Sequence, residues 1–138
     1  MKKFVKVVAV ALVVMTALTL FAACGVSLDP DKTYDALLDN GYYCDMDTSA
    51  LSLATYAGKL GVKAYDMSAV ITANKTDKSR ETQKITIFYF KDYESAYKAW
   101  ENAQELSEKA QGTRTDWVCE RYLNVIYFGT KQALKDAR

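Results

Sequence analysis

Residues 7–23 are apolar at every position except Thr16 and Thr19, and this run decides where folding can begin. A helix in the core of a soluble domain carries a polar face at helical spacing, and this stretch has none. Its length approaches that of a bilayer span, for which about 20 apolar residues suffice. It also has the form of a secretory signal peptide. Lys2 and Lys3 make a positive start, an apolar stretch follows, and small residues close it. Under both readings the positive end stays inside and the rest of the chain lies outside the cytoplasmic membrane.

The closing residues, Phe21-Ala22-Ala23-Cys24-Gly25, resemble the lipobox of bacterial lipoproteins, in which an apolar residue and two small ones precede an obligatory cysteine. Phe21 departs from that pattern, which favours leucine. The resemblance implies that the Cys24 thiol receives a diacylglyceryl group, with palmitate as a typical acyl chain, and becomes the first residue after cleavage. Each buried CH₂ would contribute about 0.8 kcal/mol to membrane attachment. The organisation expected is a signal peptide over 1–23, a lipid-anchored tether over 24–32 and a single domain over 33–138. The exported part is similar to small surface lipoproteins of bacteria whose function is unknown, and no functional motif of theirs can be matched here.

Charge must be counted after that cleavage. Of 18 basic residues, Lys2, Lys3 and Lys6 fall in the leader, leaving 15 against 17 acidic ones, a net charge of about −2. A domain so balanced has no electrostatic footprint for nucleic acid. Histidine is absent, which excludes Ser-His-Asp and Cys-His catalysis and histidine-ligated zinc within the chain. No glycine-rich loop could cradle phosphate and no serine stands in a nucleophile motif. No cofactor or metal is expected.

Patterning then outlines an α+β domain. Thr33 has the position of an N-cap for a short helix with Tyr34, Leu37 and Leu38 on one side, and Gly41 beyond its end. Residues 42–47 read as a strand. Asp47, Thr48 or Ser49 can cap a second helix that Gly61 stops. Residues 65–74 alternate apolar and polar at period two, broken at Val70, and are the clearest strand signal in the chain. A wholly polar turn, 74–81, separates it from a strand over 83–90, as in a hairpin. Asp92 caps the strongest helix, 93–110, with Tyr93, Ala96, Tyr97, Trp100, Ala103 and Ala110 on one stripe. Short strands around 117–119 and 123–128 and a closing helix follow. The order β-α-β-β-α-β predicts a single antiparallel sheet of four to five strands with helices on one face, in a ferredoxin-like, split βαβ arrangement.

In that arrangement the first and last strands are neighbours, so Cys44 and Cys119 are candidates for a disulfide in an oxidising compartment. The alternative is two buried free thiols. Asp45 to Ala50 superficially follows the start of a calcium loop. Ala50 replaces the glycine of its sharp turn and Tyr56 its closing glutamate, so Asp47 reads as a helix cap. The glutamates of the long helix, with lysines four residues away, read as a solvated face. The tyrosines are mainly packing residues. A sheet covered on one side only would still leave aromatic surface bare, and Phe88, Phe90 and Tyr127 are the expected binding face.

The function expected is therefore a membrane-anchored, non-enzymatic module that binds an unidentified protein or small ligand. The alternatives are an envelope enzyme using carboxylates such as Asp45, Asp47 or Glu120, and a structural or inhibitory envelope protein.

Overall fold

The computed structural model describes residues 25–138; the apolar leader and Cys24 lie outside the described residues. Strand β1 spans Tyr43–Asp47, β2 Met67–Thr76, β3 Thr82–Phe90, β4 Trp117–Tyr122 and β5 Val125–Thr130. β2 and β3 form the expected hairpin, in register from Thr76 opposite Thr82 to Ala69 opposite Tyr89. Its turn is closed by Asp77, whose Oδ1 accepts hydrogen bonds from the Ser79 amide (2.9 Å), the Ser79 hydroxyl (2.6 Å) and the Glu81 amide (3.0 Å). These bonds, that from the Ser79 hydroxyl first, hold the Asp77 carboxyl below its ordinary range.

All five strands lie in one antiparallel sheet in the order β1-β2-β3-β5-β4. This corrects the ferredoxin-like expectation. A split βαβ unit would run β1 and β2 parallel with a strand between them; here they are adjacent and antiparallel. Gly61, with φ +72°, and a 3-10 turn at Ala64–Asp66 turn the chain so that β2 returns beside β1. β1 and β4 are thus the two opposite edges.

Among the described residues four helices, α1 (Pro30–Asp39), α2 (Ala50–Leu60), α3 (Tyr93–Gln111) and α4 (Lys131–Asp136), cover both faces of the sheet, not one. Ala69, Ile71, Ile85, Ile87, Tyr89 and Tyr127 point to a first core, closed by Leu37 of α1 and Ala133 and Leu134 of α4. Val70, Phe88, Phe90, Ile126 and Phe128 point to a second, closed by Leu53, Ala57 and Leu60 of α2 and by the alanines of α3. A bulge between Met67 and Ala69 places Met67 in the second core with Val70. Because β3 and β5 are buried on both faces, residues 87–90 and 125–128 are apolar or aromatic without alternation, and Thr86 is the one polar residue in 85–90.

The caps follow local chemistry. Asp92 Oδ1 accepts from the Ser95 amide at 2.8 Å and starts α3, as expected. Ser49 caps α2 and Thr130 caps α4. α1 starts earlier than Thr33: Asp29 caps it by accepting from the Asp31 amide at 3.0 Å, with Pro30 in the first turn. Thr33 is instead fully buried. Within the stretch expected as a lipid-anchored tether, Val26 belongs to the first core and the Ser27 carbonyl accepts from Tyr89 at 2.9 Å, whereas Leu28 and Asp29 are exposed.

Candidate functional site: an aromatic ledge at the β4 edge

The apolar stripe of α3 divides in two. Ala96, Ala99, Ala103 and Ser107, spaced three and four residues apart, face the sheet and are buried. Their small side chains admit the bulky Phe88 and Phe128 of the sheet beneath, rings that pack 5.9 Å apart. Tyr93, Tyr97 and Trp100 sit on the flank of the helix instead. Tyr93 is 53% and Tyr97 63% exposed, their rings stacked with centroids 6.4 Å apart at 26°.

Arg121 of β4 joins this flank. Its Cζ lies 5.4 Å from the Tyr93 ring, 5.1 Å from Tyr97 and 5.6 Å from Trp100. Its Nη2 donates a long hydrogen bond of 3.5 Å to the Tyr93 hydroxyl, and Nη1 is buried without a hydrogen-bond partner. A guanidinium against three aromatic rings is held by attraction to their negative faces, each contact contributing on the order of 0.5–1 kcal/mol where solvent reaches it. The same contacts restrain the rings in turn, so the ledge presents a stacked aromatic surface. Open grooves of about 440 and 560 Å³ run on either side of Tyr97, the first toward Tyr93 and Glu94, the second toward Trp100 and Glu101.

The expected binding face is overturned. Phe88, Phe90 and Tyr127 are each 1% exposed. Phe88 and Phe90 lie beneath α2 and α3, whereas Tyr127 lies in the other core, where its hydroxyl donates to Glu120 at 2.7 Å. A one-residue difference in strand parity sends a side chain to the opposite face, and here the opposite face is covered as well.

The candidate disulfide is also absent. Cys44 and Cys119 are free. They stand on opposite edges of the sheet, four strand spacings or about 19 Å apart, and they pack against different cores. A disulfide requires Cα atoms within about 7 Å. Burial raises the pKa of both thiols. The same geometry separates the carboxylates considered for catalysis, since Asp45 and Asp47 are on β1 and Glu120 is on β4. Asp47 instead raises the Tyr56 pKa together with Asp45, behind the larger effect of burial. Among the described residues no three His, Cys, Asp or Glu side chains gather in a way that could hold a metal.

A second concavity, of about 590 Å³, opens at the far end of the sheet. Here the Tyr42 hydroxyl donates to Asp136 at 2.7 Å, and Lys75 Nζ donates to the Asn40 carbonyl at 2.7 Å. Burial first, then that bond to Asp136, pushes the Tyr42 pKa far up. Of the carboxylates lining it, Asp77, Asp116 and Asp136 are occupied by named donors, Asp116 through its 2.9 Å pair with Arg114. Gln83, 6% exposed, contributes an Oε1 without a hydrogen-bond partner. Nothing in the sequence marked this hollow, because its lining comes from five separate segments.

The ledge, by contrast, left a trace. Tyr93, Tyr97 and Trp100 recur at i, i+4 and i+7 beside an alanine stripe, and a helix cannot bury both sets against one sheet. Comparison with known protein families, with characterised proteins and with solved structures finds no match for this chain.

Proposed function

We propose that this protein is a lipid-anchored, extracytoplasmic binding module that engages another protein of the envelope through the Tyr93–Tyr97–Trp100–Arg121 ledge. The observation that carries the reading is the exposure of Tyr93 and Tyr97 as a stacked pair braced by Arg121. Tyrosine, tryptophan and arginine are the residues that dominate binding energy at protein interfaces, and rings already held in place lose little entropy on association. A catalytic reading would need convergent carboxylates, and Asp45 and Asp47 are a sheet's width away from Glu120. The lipobox resemblance supports the anchor and the location outside the membrane. No helix among the described residues is long and apolar enough to cross a membrane.

The test is a photocrosslinking amino acid placed at position 97 in intact cells, with a second at position 78 in the β2–β3 turn as reference. A discrete adduct from 97 that is absent from 78 and is lost with Arg121→Met is the expected result. Identical patterns from both positions would remove the ledge as an interface. For the anchor, a Cys24→Ala form is expected in the medium rather than in the membrane fraction.

A further inference from the structure

The sheet has one end at which the chain enters the fold, and that end carries exposed apolar and aromatic residues. Gly25 sits against the Tyr122 ring, so that a Cβ at Gly25 would lie 3.3 Å from it. Val26, the next residue, is already buried in the first core. A lipid carried just before Gly25, as proposed above, would thus be attached next to packed residues of the domain.

Tyr122 leads directly into the β4–β5 turn, whose first residue, Leu123, is 48% exposed with φ +51°. Glycine or asparagine is the usual occupant of such a position. A leucine held there, in water, is an outlier on two counts. The turn is tied to the end of β3, because Asn124 Nδ2 donates to the Phe90 carbonyl at 2.7 Å and the Phe90 amide donates to the Asn124 carbonyl. The Lys91 amide donates to the Asp66 carbonyl, which brings the 3-10 turn to the same end. There Tyr65 is 61% exposed, with Lys63 Nζ 5.7 Å and Lys91 Nζ 5.8 Å from its ring centre. Leu28, just after the entry point, is 45% exposed.

We infer that this end of the sheet, with Leu28, Leu123 and Tyr65 at its tip, rests in the outer interface of the lipid bilayer and fixes the domain's orientation on the membrane. The inference rests on the lipid anchor proposed above. Leucines enter the acyl boundary, tyrosine takes the headgroup level, and the Lys63 and Lys91 ammoniums reach phosphate. Asp66 and Asp92 lie at the same end but are turned to capping the Lys63 and Ser95 amides. The β2–β3 turn then points outward, about 30 Å away along β2, and the aromatic ledge, starting at Tyr93, climbs from the membrane along α3.

The test uses full-length lipidated protein in vesicles of phosphatidylcholine and phosphatidylglycerol that contain a doxyl-labelled lipid quencher. A fluorophore is placed at Leu123→Cys or at Ser79→Cys in a Cys44→Ser, Cys119→Ser background. Emission at 123 is expected to fall by more than about half, as for an interfacial site, with no change at 79. Hydrogen exchange on the unsubstituted protein gives a second reading. Amides of residues 63–66 and 121–125 should exchange more slowly on vesicles than in the soluble Cys24→Ala form, and those of 77–81 equally fast. Anchored protein with equal emission at both sites and no added protection overturns the docked end while leaving the anchor intact. Protein that carries no lipid mass on Cys24 overturns both. A site at 123 unquenched by lipid yet shielded from an aqueous quencher would mean that a protein partner covers this end, and would also overturn the inference.

Discussion

Tyr89 shows how one side chain joins the entry of the chain to the core. Its ring is buried in the first core, its hydroxyl donates to the Ser27 carbonyl at 2.9 Å, and the Thr33 hydroxyl lies 2.8 Å away. Burial pushes its pKa from 10.0 up to about 12. The folded state therefore holds this proton more tightly than the unfolded state. That contribution is complete below pH 10 and is lost as pH rises to about 12, amounting to about 3 kcal/mol. Tyr42 shifts the same way. Denaturant midpoints should accordingly fall above pH 10, and less steeply in Tyr89→Phe. The variant should also lose about 1–2 kcal/mol at neutral pH, because buried polar partners are left unpaired. Equal alkaline slopes for the two proteins would contradict this account of Tyr89.

At the scale of elements, the β2–β3 hairpin and the caps other than that of α1, where Asp29 and not Thr33 serves, were legible in the sequence because each depends on a few adjacent residues. Asp92 with Ser95, and the 74–81 turn, are local chemistry. The pairing of β1 and β4 was not legible. Their sequences carry the burial pattern of edge strands, but nothing in them names a neighbour, and the inferred adjacency led to a disulfide that the sheet order forbids. A bridge closing about 75 residues would add roughly 4 kcal/mol, so its reduction would lower the melting temperature by well over about 8 °C. The expected result is an unchanged melting temperature with and without reductant, and two alkylatable thiols in the unfolded, unreduced domain.

Across the whole molecule, a single sheet is shared by two cores. Ile87 and Phe88 are neighbours in sequence and point to opposite sides. Ile87→Ala should cost about 2–5 kcal/mol and Phe88→Ala about 3–5 kcal/mol, each through the cavity left behind. Because β3 belongs to both cores, each variant should still unfold in one transition with an unchanged denaturant slope. A two-step curve for Phe88→Ala, with α2 and α3 lost first, would show that the layers unfold independently. The same double coverage explains the misplaced binding face. The near-continuous apolar character of residues 85–90 and 125–128 is the trace of a sheet buried on both sides, and an open face would have required polar alternation.

By itself the sequence determined the α+β class, most helix starts, the central hairpin, and the exclusion of histidine-dependent chemistry. These follow from period, capping and composition, which act over a few residues. Strand order, coverage of both sheet faces, the separation of Cys44 from Cys119, and the gathering of Tyr93, Tyr97, Trp100 and Arg121 were decided only by tertiary structure. Each depends on which distant surfaces meet, and a periodic pattern states that a face is buried without stating what buries it.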